Sequence, residues 1–202
     1  FTSILTDERF PMHRISLPDG REVRFKSASV KDIDSILALY DKVYSGKYTL
    51  KEAIDASAMR EKIENPNYFW FIASLEKELI GSVIFSIDPV NKIGKAYAAV
   101  VLPEYRGFDI MRTMVLHALE RLTKKTRTCD VIYATTRTVS IAPAVVLEHC
   151  GFFPMGIFPN VRKVQSFETH GLEIYFREGC LKSRKKSPKL VPEVGDFYKI
   201  VR

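Results

Sequence analysis

The stretch Val100-Val101-Leu102-Pro103-Glu104-Tyr105-Arg106-Gly107-Phe108-Asp109-Ile110-Met111 reads as an apolar strand that stops at a proline, turns through Arg-Gly and opens a helix. A strand feeding a helix through such a turn leaves several backbone amides unpaired at the positive end of the helix dipole, and Arg106 adds a permanent charge beside them. That combination is an anion site of the kind that holds phosphates in many unrelated proteins.

Working outward, the helix that follows is the clearest in the chain, with apolar residues at Met111, Val115, Ala118, Leu119 and Leu122. Before the turn, residues 95–102 form a strand. Two more strands, at 68–75 and 79–87, precede it across the Glu76-Lys77-Glu78 and Asp88-Pro89-Val90-Asn91 turns, as an antiparallel meander. Further upstream, residues 14–17 and 22–26 alternate polar with apolar around Pro18-Asp19-Gly20, the pattern of a hairpin. Ser29 and Asp32 resemble a capping box ahead of a helix with Ile33, Ile36, Leu37, Tyr40, Val43 and Tyr44 on its buried face. A weaker helix is expected over residues 50–63, ended by Asn65-Pro66-Asn67.

Downstream, residues 130–135 form a strand. Ser140 is placed to cap a short helix over 141–149, and Gly151 is placed to close it in a left-handed conformation. Strands at 152–158 and 172–176 come last, joined by a connection containing residues 160–170. The alternation of helices and strands predicts a mixed α/β fold built on one main sheet.

Composition narrows the function classes. With 202 residues and 46% hydrophobic content, the chain suffices for one well-cored domain, or one domain plus an appendage. Its longest apolar runs fall far short of the roughly 20 residues of a membrane-spanning helix, no signal sequence opens it, and a cytoplasmic location is expected. Cys129, Cys150 and Cys180 are odd in number and widely spaced, which fits free thiols in a reducing compartment. The four histidines form no metal-ligand spacing, so no metal is expected. Net charge is +7, but from Cys180 onward seven Lys or Arg face two acids, so the tail holds most of it. No aromatic residue interleaves with Lys182, Arg184, Lys185, Lys186 and Lys189, which argues for a solvated linker and against stacking on nucleic acid.

Val101-Leu102-Pro103-Glu104-Tyr105-Arg106-Gly107 followed by an amphipathic helix resembles the acyl-coenzyme A signature of the GCN5-related N-acetyltransferases. Over residues 21–178 the order of elements agrees with that family, and Glu148-His149-Cys150-Gly151-Phe152 is similar to its helix end before a late strand. The resemblance implies a mostly antiparallel sheet with a splayed parallel pair, flanked by helices. It implies acetyl-coenzyme A or another acyl-coenzyme A as donor and a primary amine of a small molecule or peptide as acceptor. Val101 and Leu102 would then contact pantetheine through their backbone. Arg106 and Gly107, with Phe108, Asp109, Ile110 and Met111, would lie at the pyrophosphate, and Ser140 near the donor as a hydrogen-bond donor. On this reading residues 1–20 are an N-terminal extension with the first hairpin strand, 21–178 the acyltransferase-like domain, and 179–202 a basic linker or tail.

Asp109, Met111, Leu147 and Ser140, the last where many members carry asparagine, depart from the family pattern. Asp109 and Met111 stand where glycine or alanine is usual, and an acid about 4 Å from a phosphate meets repulsion of about 1 kcal/mol in water. Leu147 stands where a tyrosine can protonate the leaving thiolate, which leucine cannot do. The same substitutions, and an opening residue that is not methionine, suit a second reading: a catalytically silent module that binds a ligand or partner, with an adjoining domain. For an active enzyme, the base that removes the ammonium proton would come from Tyr97, His149 or Glu173, for which sheet packing, a helix-end charge and a solvated surface are the alternatives. Residues 134–140 and 172–175 are also loosely similar to acetyltransferases acting on β-lysine, which favours a small polar amine. Arg137 there would meet a carboxylate, a phosphate or a surface acid.

Overall fold

Val23 and Phe25 alternate with Arg24 and Lys26, and this period of two buries one face of a strand. In the computed structural model, which describes residues 13–163, 166–183 and 189–201, that strand is β2 (Glu22–Ser27), paired through a hairpin with β1 (His13–Ser16). The Ser29 amide and hydroxyl both donate to Asp32, which starts a short 3-10 turn and then α1 (Ile33–Tyr44). Ile33, Ile36, Leu39 and Tyr40 are its buried positions, at helical spacing.

The single helix expected over 50–63 is two: α2 (Lys51–Ile54) and α3 (Ala56–Glu64). Asp55 breaks it, because its carboxylate accepts the Ala58 amide at 2.8 Å and the Ser57 hydroxyl, a local bond that competes with helix continuation. Next come β3 (Tyr68–Leu75), β4 (Glu78–Asp88) and β5 (Ile93–Val101), the expected meander. α4 (Ile110–Leu119) continues into a π-helical turn at Glu120–Lys125, where Thr123 Oγ1 donates back to the Leu119 carbonyl at 2.7 Å. β6 (Val131–Arg137) and α5 (Ala142–His149) follow, with Gly151 at φ +85° closing the helix.

The connection expected at 160–170 is largely strand. β7 (Phe153–Lys163) and β8 (Phe167–Phe176) form one long antiparallel hairpin, in which Asn160 at φ +54° is taken up by a register shift between Phe158 and Arg162. Polar and charged residues there belong to an edge strand, which a hydrophobicity pattern does not register. In the tail, α6 (Pro192–Val201) is helical, and the basic run lies mostly outside the described residues.

Among the described residues the strands form one eight-stranded sheet in the order β1-β2-β3-β4-β5-β6-β8-β7. Only β5 and β6 are parallel; every other neighbouring pair is antiparallel. Helices cover both faces, so β3 and β4 are buried almost continuously. Trp70, Ser82 and Tyr97 face α1, while Phe71 on the other side stacks on His117 of α4 with ring centroids 4.7 Å apart. No helix among the described residues is long and apolar enough to cross a membrane.

Candidate functional site

Ser82 pairs with Val100 but Ile84 pairs with Tyr97, so Ala98 and Ala99 together oppose Val83. This is a β-bulge, and Ala98 occupies it in the left-handed region at φ +51°. A bulge bends its strand. The parallel ladder of β5 with β6 therefore runs only from Ile93 with Val131 to Ala96 with Ala134, and beyond that point residues 135–137 pair with β8 alone. A wedge opens between residues 97–101 and residues 135–137, with backbone groups of β5 along its edge.

The wedge leads to the turn. Pro103–Tyr105 makes one 3-10 turn, Arg106 is extended, and Gly107 adopts φ +86°. A Cβ at Gly107 would meet nothing within 4 Å, so the space above this turn is open. Arg106 Nε donates to the Val101 carbonyl at 3.2 Å, which holds the exposed guanidinium over the end of the strand. Leu102 is fully buried, Val101 and Met111 pack half-buried against the core, Ile110 is buried, and Phe108 is exposed. The first amides of α4 have no acceptor within the helix.

Asp109 is the helix N-cap in position, but its carboxylate caps no amide. It lies 3.5 Å from Arg112 Nη1, with 68% of its side chain exposed. Its backbone sits at φ +56°, a conformation that asparagine, aspartate and glycine tolerate best. Its carboxylate pairs instead at the surface with Arg112, whose Nε is buried without a partner. Residues here fit an anionic donor through Arg106, Gly107 and the helix amides, and oppose it through Asp109.

On the α1 face the sheet carries a second group of side chains. Tyr44 and Tyr48 stack with centroids 4.4 Å apart, and Tyr48 lies 5.1 Å from Tyr40. Tyr97 is nearby: burial, and then the neighbouring Glu52 carboxylate, raise its hydroxyl well above the ordinary tyrosine range. Tyr97 therefore stays a phenol at neutral pH. Arg162 Nη2 reaches over from β7 to donate to Thr49 Oγ1. Glu52, half-buried on the short helix α2, was not singled out in the sequence, where an acid on a weak helix resembles any solvated one.

The three candidate bases are not brought together. Tyr97 faces α1, whereas Glu173 pairs with Ala134 on the opposite face and is only 6% exposed. It is no solvated surface acid: burial and then Glu148 raise its carboxyl above the usual range, against a bond from Thr136. His149 is exposed in the last turn of α5, and Leu147 is core. Ser140 is exposed and accepts the Ala142 amide at 3.3 Å. Arg137 makes a two-pronged ion pair with Glu168, which is its surface-acid alternative. No group of histidine, cysteine or acids among the described residues could hold a metal.

Glu173 makes a prediction on stability. A carboxyl whose folded pKa is raised costs the fold stability once pH passes the unfolded value, because the unfolded chain ionises more readily. Glu173→Gln should therefore raise the melting temperature by about 2–4 °C at pH 7 and leave it unchanged near pH 4, read by calorimetry.

A model of the acetyltransferase (GNAT) family matches residues 33–152. Among solved structures, the chain superposes on a ribosomal-protein-S5-alanine acetyltransferase from Vibrio fischeri with TM-score 0.69 at 16% identity, covering 83% of this chain and 98% of that one. For a spermidine N-acetyltransferase variant from Vibrio cholerae the figures are 0.65, 16%, 77% and 94%. For a ribosomal L7/L12 alpha-N-protein acetyltransferase in complex with coenzyme A they are 0.66, 12%, 76% and 93%. No curated protein matches the chain. The match over 33–152 takes in the α1 to α3 region, the meander, the bulged strand, the Arg106-Gly107 turn and α5, and the chain belongs to the acetyltransferase (GNAT) family.

Proposed function

We propose that the protein transfers an acetyl group from acetyl-coenzyme A to a primary amine of a small polar molecule or peptide. The observation that carries this reading is the wedge between β5 and β6, which runs from the bulge to the Arg106-Gly107 turn. Pantetheine lies along the backbone of Val101 and Leu102, and the pyrophosphate meets Arg106, Gly107 and the amides that open α4. The amine enters from the α1 face, among Tyr44, Tyr48 and Tyr97, whose ring faces suit an ammonium and its alkyl stem.

An alkyl ammonium with pKa near 10.4 must lose a proton before it can attack. Glu52 is the acid nearest Tyr97 in this cleft and takes that proton directly or through water. The neutral nitrogen then bonds to the carbonyl carbon and releases its second proton to solvent, the carbon–sulfur bond breaks, and the thiolate takes a proton from solvent, since Leu147 has no proton to give. Tyr97, held as a phenol, orients the nucleophile. A cytoplasmic location agrees with the free thiols of Cys129, Cys150 and Cys180.

The exposed Asp109 carboxylate favours a second reading, a silent module that has let its donor site weaken. Titration calorimetry with acetyl-coenzyme A decides: micromolar to submillimolar binding supports the enzyme, and none at millimolar concentration leaves the silent module. With an amine acceptor in hand, Glu52→Gln should lower kcat/KM about a hundredfold at pH 7, the low end of what a positioned proton acceptor contributes, while leaving acetyl-coenzyme A affinity unchanged.

A further inference from the structure

Beneath the bulge runs a chain of buried polar groups that packing alone does not require. Trp70 on β3 donates its indole N–H to Ser82 Oγ on β4 at 2.8 Å, and Ser82 has no exposed surface. Ser82 in turn lies beside the hydroxyl of Tyr40, fully buried on α1, and Tyr40 donates to the carbonyl of Ala98, the left-handed residue of the bulge.

Chemistry fixes the direction of this chain. An indole N–H can only donate, so Ser82 accepts from Trp70 and keeps its own proton for the side of Tyr40; a carbonyl can only accept, so the Tyr40 proton points at Ala98. The Ser82 dipole, oriented by Trp70, sits beside the Tyr40 oxygen whose proton Ala98 receives. The chain ends on a residue that needs holding, because alanine resists a positive φ.

The Ala98–Ala99 peptide is planar and trans, so its N–H points opposite to its C=O. With the Ala98 carbonyl drawn toward Tyr40, the Ala99 N–H is turned away from α1, and Ala99 is exposed where β5 has left β6. We propose that Tyr40, backed by Ser82 and Trp70, is a positioning residue for the acyl donor: through the Ala98 carbonyl it sets the plane of the 98–99 peptide and presents the Ala99 N–H to a carbonyl oxygen of the donor. This rests on the acyltransferase reading above. Tyr40 itself touches no reactant. Its bond also draws charge through the peptide, which strengthens the Ala99 N–H as a donor.

The test is Tyr40→Phe, which keeps the ring and removes the hydroxyl, set beside Ile36→Val, one turn earlier on α1 and equally buried. Acetyl-coenzyme A affinity by calorimetry and backbone hydrogen exchange of residues 97–101 in the free protein are measured for both. Tyr40→Phe should weaken acetyl-coenzyme A binding about five- to tenfold, the size of one lost hydrogen bond, and speed exchange at 97–101. The KM for the amine should not move. Ile36→Val should lower the melting temperature while leaving both readouts unchanged. Ser82→Ala should follow Tyr40→Phe at smaller amplitude. If the wild type binds acetyl-coenzyme A and Tyr40→Phe binds it equally well, the positioning role is overturned and the acyltransferase reading stands. Equal weakening by Ile36→Val also overturns it, because the effect is then general loosening. If the wild type binds no acetyl-coenzyme A, the acyltransferase reading fails first and the donor role falls with it, whatever the exchange shows.

Discussion

Gly107→Val is expected to weaken acetyl-coenzyme A binding about a hundredfold, measured by calorimetry on the folded variant. Two effects add. Gly107 sits at φ +86°, where a β-branched residue is strained by about 1–3 kcal/mol, so the turn relaxes away from its present shape. The new side chain also enters the open space above the turn, since a Cβ there meets no protein atom within 4 Å. That space is where the proposed pyrophosphate lies. A loss of about 2.7 kcal/mol in binding corresponds to the hundredfold change. The melting temperature should fall by only a few degrees, because the turn is exposed and buries no core residue. Gly107→Ala, with less strain and bulk, should fall between. An unchanged affinity in Gly107→Val would place the donor elsewhere.

The sequence carried the fold further than it carried the site. Residues 100–111 identified the strand, the turn and the helix, because proline, Arg-Gly and a 3.6-residue period are each local signals. The meander was equally legible, since apolar runs separated by polar turns need no knowledge of their partners. Asp55 was not legible as a helix break, because whether an aspartate caps the next helix or sits on a long one depends on geometry two residues away. The extended β7–β8 hairpin was missed for a different reason: its outer strand is exposed along nearly its whole length, so it shows no alternation.

For the site, the sequence listed candidates by residue type and could not sort them by face. Tyr97 and Glu173 are both strand residues of plausible chemistry, and only the register shows that they face opposite sides of the sheet. Glu52 and the tyrosines at 44 and 48 come together because α1, α2 and the loop between them fold over one face, a tertiary event with no local signature. Helical spacing places Tyr40 on a buried face, where it lies; its hydroxyl bond to Ala98 depends on a bulge that no pattern announces.

Asp109→Gly is expected to tighten acetyl-coenzyme A binding about thirtyfold at low ionic strength. A pyrophosphate carries two negative charges, and each repels a carboxylate at about 4 Å by about 1 kcal/mol in water, so removing the acid returns about 2 kcal/mol. The backbone already adopts at residue 109 the left-handed conformation in which glycine is at home, so the exchange requires no rearrangement and removes a strained side chain. It also releases Arg112, whose guanidinium now lies 3.5 Å from the Asp109 carboxylate in an exposed pair worth about 0–1 kcal/mol at most. Freed, Arg112 adds a cation to the first turn of α4. Met111 is a different case. It packs half-buried against the core in the first turn of the helix, so Met111→Gly gives up both packing and about 1 kcal/mol of helix propensity. Combining it with Asp109→Gly should bring little further affinity and lower stability, which makes the single variant the cleaner experiment. Salt separates charge from shape: the gain should shrink toward a few-fold at 1 M, where screening acts within about 3 Å. A gain that persists undiminished in high salt would assign the effect to the backbone, and Asp109→Asn, neutral and tolerant of the same φ, would then show none of it.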